Sequence, residues 1–263
     1  MAAADESNMP FIRNLASSDR KLRTSALESL RTFLSAAATS HRLTPLDNLK
    51  LWKGLYYSLW MCDRPIPQQN LAAELAGLLD VLPDDAVGPW LCAFWEILGR
   101  EWTNIDVYRL EKFLLLVRRV LGASLAWGCA LMADSSSNAK TQKRSRARAD
   151  AVLEVLGTWP LETENNLSRV PVGLRLHVLD IWVDEAEKLG LADPEQTSDW
   201  GREFLDRLGL LIEAQTKSTC KPVRLRARES LEDERLPWNA EDANQDSSKE
   251  RPGDKDSWDG FED

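Results

Sequence analysis

Few residues of this chain are of types that could carry acid-base or metal chemistry. The sequence contains two histidines, His41 and His177. His177 lies three residues before Asp180 on an amphipathic stretch, a spacing that places both side chains on one helix face. A metal site needs at least one more ligand nearby, and the surrounding sequence offers none. We therefore expect His177 to be a helix-surface or core residue, and we predict no metal site.

The other reactive side chains suit structural roles. The cysteines are widely separated and form no CxxC pair, which is typical of reduced thiols in a cytosolic or nuclear protein; they are Cys62, Cys92, Cys129 and Cys220. The carboxylate pairs Glu162/Glu164 and Asp84/Asp85 fall in loops or at helix starts, where negative charge complements the helix dipole. No nucleophile elbow, phosphate-binding loop or zinc-protease motif occurs. We predict a protein that is not an enzyme and takes no cofactor and no small-molecule substrate.

One short segment is strongly basic. Residues 140–148 carry five cations: Lys140, Lys143, Arg144, Arg146 and Arg148. Such a cluster can contact RNA phosphates, because each neutralised phosphate releases a counterion and adds salt-dependent affinity. The alternative is a solvated first turn of a helix. Cations at a helix N-terminus oppose the helix dipole, so something other than helix stability would then maintain them. The sequence leaves both interpretations open.

The overall charge is concentrated at one end. The net charge of the chain is -9, yet residues 231–263 alone contain twelve acidic and four basic residues. The rest of the chain is nearly neutral, so contact with nucleic acid through a local patch stays possible. No apolar run approaches the roughly 18 to 20 residues of a membrane span, and the first residues do not resemble a secretory signal. We expect no membrane association.

Apolar residues recur at helical spacing along most of the chain, and alternating strand-like runs are missing, which predicts an all-α fold. Helices are expected near residues 8–16, 19–38, 44–62, 68–82, 85–102, 106–132, 139–156, 171–189 and 194–216, with a turn at 135–138. Short connections favour antiparallel helix pairs stacked in a HEAT-like or armadillo-like solenoid. We predict a helical-repeat domain over 8–220. Residues 221–263 are expected to form an acidic, largely disordered tail.

Two stretches, 49–65 and 94–106, are dense in tryptophan and charged residues. The helix predicted over 44–62 is apolar around most of its circumference. Its narrow polar stripe consists of Asp47, Lys50, Gly54 and Ser58. Such a helix must be covered on several sides and therefore lies inside a helical array. Aromatic residues interleaved with charges build rigid surfaces with anchor points, which favours a binding scaffold.

These stretches resemble a known family. The segment WKGLYYSLWMCDRP at 52–65 and the segment FWEILGREWTNIDVYRLEKFLLLVRRV at 94–120 are similar to the signature blocks of the nucleolar ribosomal RNA-processing protein 1 family, or Nop52 type. A third, weaker block covers 170–174 with His177, Asp180 and Ile181. The resemblance implies a non-enzymatic helical-repeat factor of the nucleus and nucleolus. Its implied role is in large (60S) subunit biogenesis and pre-rRNA processing.

The same resemblance suggests partners and contact residues. It implies binding to the pre-60S ribosomal particle, to other large-subunit assembly factors and to pre-rRNA or rRNA. Within the matching blocks, the candidate contacts are Lys50, Trp52, Lys53, Asp63, Arg64, Arg100, Glu101, Trp102, Asp106, Arg109 and Lys112. The short acidic tail departs from longer members, in which a basic extension is frequent.

Two alternatives stay open from the sequence. One is a helical-repeat adaptor in another nuclear or cytosolic complex. The other is a hydrolase, which would require a deep polar pocket containing His177 or a carboxylate cluster.

Overall fold

A computed structural model describes residues 11–40, 43–130, 139–164, 166–193 and 197–239. Over these residues the chain forms ten α-helices and no strand. The helices are α1 (Phe11–Leu15), α2 (Arg20–Ser40), α3 (Pro45–Trp60), α4 (Pro65–Ala76), α5 (Asp84–Glu101), α6 (Val107–Cys129), α7 (Ala139–Thr158), α8 (Val172–Lys188), α9 (Asp199–Gln215) and α10 (Lys221–Leu231). Short 3-10 helices, Gly77–Val81 and Trp102–Asn104, follow α4 and α5.

The helices form two layers. In one layer α1 packs on α3, α3 on α5, α5 on α7 and α7 on α9. In the other layer α4 packs on α6, α6 on α8 and α8 on α10. Contacts of α1 with α2, α6 with α7 and α9 with α10 join the layers. This stacking of every second helix is the arrangement of a helical solenoid. It confirms the predicted all-α helical-repeat fold.

Helix starts follow local capping chemistry. At the start of α3 the Asp47 amide donates to the Thr44 hydroxyl at 3.2 Å, and the Thr44 amide donates back to the Asp47 carboxylate at 2.9 Å. This reciprocal capping box, followed by Pro45, fixes where α3 begins. Asp106 caps α6 in a similar way, by accepting from the Tyr108 and Arg109 amides at 3.0 and 3.1 Å.

Helix α3 lies inside the array, as its apolar circumference predicts. It packs against α1, α4, α5 and α6. Even its polar stripe is covered, because Asp47, Gly54 and Ser58 are buried and only Lys50 is half-exposed. At Gly54 a Cβ atom would lie 3.3 Å from the Leu15 side chain of α1. The missing side chain therefore lets α1 pack close to α3.

The prediction that a disordered tail begins at 221 is wrong. Residues 221–231 form α10, which buries Val223 and Ala227 against α8 and α9. Two apolar positions four residues apart are enough to anchor a short helix, although the composition of the segment is polar. Beyond α10, the Trp238 ring stacks on Trp182 with ring centroids 6.5 Å apart. The rest of the predicted tail, 240–263, and the predicted turn at 135–138 lie outside the described residues.

Candidate partner-binding surfaces

The two tryptophan-rich stretches meet where α3 ends and α6 begins. The guanidinium carbon of Arg109 lies 4.7 Å from the centre of the Trp60 ring. Arg109 also forms an ion pair with Asp106, and this hydrogen bond holds the pKa of the Asp106 carboxyl below its ordinary value. The first turn of α6 is therefore fixed against the end of α3. We call this region the α3–α6 corner.

Lys112 stabilises this corner from inside. The side chain is only 4% exposed, and its ammonium group donates to the carbonyl oxygens of Trp60 at 2.7 Å and Cys62 at 2.9 Å. These carbonyls lie at the end of α3, where no following helical turn supplies backbone amide donors. Burial lowers the pKa of Lys112, and Asp63 at 3.8 Å opposes this shift. Lys112 is among the predicted contacts, but its ammonium is buried against backbone carbonyls and does not face solvent.

Two tryptophans of the predicted contact set have packing roles. Trp52 is 2% exposed and packs against Trp90 and Phe94, with ring centroids 5.0 and 4.8 Å apart. This predicted contact residue is therefore part of the core. Trp102 is half-exposed and lies against the start of α8, where a Cβ atom on Gly173 would come 3.0 Å from the indole nitrogen. This contact joins the second and third blocks.

Several charged residues of the set bind one another at the surface. Lys53 pairs with Glu101, which joins α3 to α5, and its ammonium lies 5.3 Å from the Tyr57 ring centre. Arg100 pairs with Glu96 within α5. The remaining predicted contacts lie at the surface: Lys50 is half-exposed, and Asp63 and Arg64 are exposed. Most cations of the blocks are therefore already neutralised before any partner binds.

The corner also exposes apolar side chains that sequence reasoning missed. Tyr108 is 93% exposed and Val107 74%, both in the first turn of α6. Met61 and Ile66 flank the turn between α3 and α4 and are 41% and 71% exposed. A helical-wheel comparison could have found Tyr108, since it lies away from the buried face that contains Phe113 and Val117.

The predicted basic cluster lies on the first half of α7. Asp84 of α5 accepts from Arg144 at 2.5 Å and from Arg148 at 2.7 Å. These two guanidinium groups hold the pKa of the Asp84 carboxyl well below its usual range. Arg146 lies 5.3 Å from the centre of the Trp200 ring. Lys140 and Lys143 are exposed, and neither has an ion-pair partner in the described ranges.

The residues considered for catalysis have structural partners. The Nε2 atom of His177 is 2.9 Å from the Leu114 carbonyl oxygen, and burial lowers the pKa of the imidazole. Asp180 pairs with Arg226 of α10. Within the part of the chain that the structure describes, no three His, Cys, Asp or Glu side chains are grouped to hold a metal ion.

Glu162 has a different role from the one predicted. Instead of complementing a helix dipole, it is buried and paired with Arg175 of α8. Arg175 also donates to the backbone carbonyl oxygens of Glu162 at 2.8 Å and Val170 at 3.2 Å. Gln215 of α9 donates to the Leu161 carbonyl oxygen at 2.6 Å. Together these bonds attach the α7–α8 connection to two helices.

Fold and surfaces define a helical-repeat protein whose neighbouring helices are joined by ion pairs and whose corner exposes apolar side chains. None of its described helices has the length and apolar character needed to cross a membrane. The chain belongs to the family described as nucleolar protein Nop52, whose model matches residues 6–262.

Named relatives agree with this assignment. The chain is 34% identical over 210 residues to mouse ribosomal RNA processing protein 1 homolog A, covering 79% of this chain and 39% of the relative. It is 32% identical over 210 residues to human homolog A, covering 79% of this chain and 42% of that protein. It is 31% identical over 218 residues to human ribosomal RNA processing protein 1 homolog B, covering 82% of this chain and 26% of that protein. The chain thus spans less than half the length of these relatives.

Proposed function

We propose that this protein is a non-enzymatic assembly factor in large (60S) subunit biogenesis and pre-rRNA processing, acting in the nucleolus as a helical scaffold. Family membership and the names of the relatives support a role in ribosomal RNA processing. The observation that carries the scaffold role is the α3–α6 corner, where two family-like blocks build one rigid surface. Its partners are pre-60S particles, other assembly factors and rRNA.

The exposed apolar side chains at the corner are the ones we assign to a protein partner. They are Met61 and Ile66, at the turn between α3 and α4, and Val107 and Tyr108, in the first turn of α6. Tyrosine and methionine are enriched at protein interfaces, and exposed aromatic anchors frequently dominate binding energy. Arg109, the cation at the centre of the corner, is already paired with Asp106. A polyanion would therefore gain little here, whereas a protein with an apolar pocket would bury the Tyr108 ring.

The exposed cations of α7 are the surface we assign to rRNA. Lys140, Lys143 and Arg146 are exposed, and the single carboxylate of Asp84 is shared by two further arginines. A net positive charge therefore remains along the first turns of α7. Each phosphate that it neutralises adds affinity that falls with salt concentration.

The protein would act by lowering the entropy cost of assembly. Because the stacked helices hold both surfaces in place before binding, partners lose less conformational freedom when they assemble on them. The protein would thereby hold precursor RNA and neighbouring factors in an arrangement competent for processing. This scaffold role requires no proton transfer by any of the described side chains.

The test compares two large, exposed side chains. Tyr108→Ala removes the most exposed ring of the corner, and Leu210→Ala removes an exposed leucine on α9, away from the corner. Loss of a central anchor costs about 2 kcal/mol or more, which is about 30-fold in affinity. We expect tagged Tyr108→Ala protein to be depleted from purified large-subunit precursors, while Leu210→Ala protein associates normally. Equal association of Tyr108→Ala and wild-type protein would contradict the surface assignment.

A further inference from the structure

A groove between α5 and α7 adjoins the basic surface of α7 and shares Asp84 and Arg148 with it. Its volume is about 580 Å³. Small residues form its walls, with Gly88 and Pro89 on α5 and Ala147 and Ala151 on α7. Trp127 of α6 also lines it. A space of this size falls within the range of about 300 to 1,000 Å³ that small ligands occupy, so it can hold one planar ring system.

Charge changes sign along the α7 side of this groove. Residues spaced by three or four positions share a helix face, so Lys140 and Arg144 extend the line of Ala147 and Ala151 toward the N-terminus. Lys143 lies one turn before Ala147, and at 1.5 Å per residue it is about 12 Å from Ala151. Glu154 lines the opposite end. The groove therefore has a basic entrance and an acidic far end.

The groove also contains the groups that recognise an unstacked base. The Arg148 guanidinium lies 4.7 Å from the centre of the Trp127 ring and is held by hydrogen bonds to Asp84 of 2.7 and 3.1 Å. Because Arg148 covers the Trp127 ring, the guanidinium plane is the surface on which a base would stack, as single-stranded RNA bases do on arginine planes in other proteins. A carboxylate such as Glu154 accepts hydrogen bonds from the amino group of a base.

The acidic residues decide which part of a nucleotide enters. Glu154 lines the groove, so a phosphate inside it would meet like charge. The Asp84 carboxylate is compensated by Arg144 and Arg148. A neutral base can therefore occupy the groove, while the phosphates stay at the basic entrance beside Lys140 and Lys143.

We propose that the α5–α7 groove binds one unstacked base of single-stranded RNA, with the adjoining backbone on the first turns of α7. This inference rests on the proposed function, which supplies an RNA partner. It adds a base-binding site to the phosphate contacts. The protein would then prefer single-stranded segments of precursor RNA over duplexes, because a paired base is not free to enter.

The first test needs no variant of the protein. Fluorescence anisotropy is measured for the full chain with a short oligocytidine RNA and with the same RNA made abasic. One stacked base contributes about 1 to 3 kcal/mol, so we expect the abasic RNA to bind about 5-fold more weakly or worse. Equal binding of the two RNAs would overturn the proposal.

The second test fills the groove. Ala151→Phe places a ring in it, and Ala73→Phe makes the same change at an exposed position of α4 as the matched control. We expect Ala151→Phe to bind intact and abasic RNA equally, while Ala73→Phe behaves as wild type. Helical circular dichroism checks that both variants fold. Ala147→Phe, on the same wall, repeats the test if Ala151→Phe does not fold.

A third variant separates the backbone from the base. Lys140→Ala/Lys143→Ala should reduce the slope of log affinity against log salt by about 1.4, since each single-strand phosphate contact contributes about 0.7. The difference between intact and abasic RNA should persist in this variant. An unchanged slope would mean that these lysines do not contact RNA phosphates, and it would contradict that part of the proposal.

Other outcomes distinguish this inference from the proposed function. If Ala151→Phe binds RNA normally but loses a copurifying protein, the groove accepts a protein segment and the RNA assignment is wrong. Wild-type protein that copurifies with large-subunit precursors yet binds abasic and intact RNA equally would overturn the groove assignment alone. Base-dependent RNA binding without large-subunit precursors would overturn the proposed function and leave the groove assignment standing.

Discussion

The buried ion pair between Arg175 and Glu162 offers a strong test of how the stack is held together. Arg175 is 1% exposed and binds the Glu162 carboxylate and two backbone carbonyl oxygens. In Arg175→Met the Glu162 carboxylate stays buried without its counter-charge. Breaking a buried pair from one side costs about 3 to 5 kcal/mol. This is a large part of the roughly 5 to 15 kcal/mol that stabilises a typical domain.

The assay is urea unfolding followed by tryptophan fluorescence, with thermal unfolding as a second measure. For a domain of this size, each kcal/mol shifts Tm by about 2 to 4 °C, so Arg175→Met should lower Tm by about 6 to 20 °C. The double variant Arg175→Met/Glu162→Gln removes both charges and should recover much of the loss. A loss below about 1 kcal/mol in the single variant, or no recovery in the double, would refute the reasoning.

Further predictions concern single positions. Asp84→Asn should destabilise the protein at neutral pH, because the folded-state pKa of Asp84 is lowered by its two arginines. The stabilisation from the ionised Asp84 carboxylate is fully present above the unfolded pKa of about 3.9 and is lost as the pH falls through the folded pKa. The difference in unfolding free energy between Asp84→Asn and wild type should therefore shrink below about pH 4. A difference that does not change with pH would contradict the ion pair. Gly99→Ala would place a Cβ atom 2.5 Å from the Arg169 carbonyl oxygen and should cost about 1 to 3 kcal/mol in urea unfolding. Its control, Gly88→Ala, meets no atom within 4 Å and should stabilise α5 by up to about 1 kcal/mol; equal effects would contradict the close approach at Gly99.

The helices themselves could be predicted well from periodicity and caps. The apolar circumference of α3 predicts a helix covered on several sides, and the structure confirms this. The capping box at Thr44 is likewise a local property of the sequence. The helix α10 was missed because its polar composition outweighed the two apolar residues, Val223 and Ala227, that anchor it. Average composition cannot reveal a helix that buries a single narrow edge.

Roles that depend on distant partners could not be predicted. Lys112 resembles an ordinary helix-surface cation in sequence, yet it binds carbonyl oxygens about 50 residues away, on the turn after α3. Glu162 likewise pairs with a residue beyond its loop, in α8. The basic cluster of α7 is visible in the sequence, but its sharing of Asp84 depends on the packing of α5 against α7.

The central claim is that a rigid helical stack acts in large-subunit assembly through its exterior surfaces. The most direct measurement is sequencing of RNA cross-linked to the tagged full chain and purified under denaturing conditions. We expect enrichment of large-subunit precursor rRNA over small-subunit precursors, with the enrichment reduced by Lys140→Ala/Lys143→Ala. Equal recovery of both precursor classes, or recovery of neither, would contradict the account.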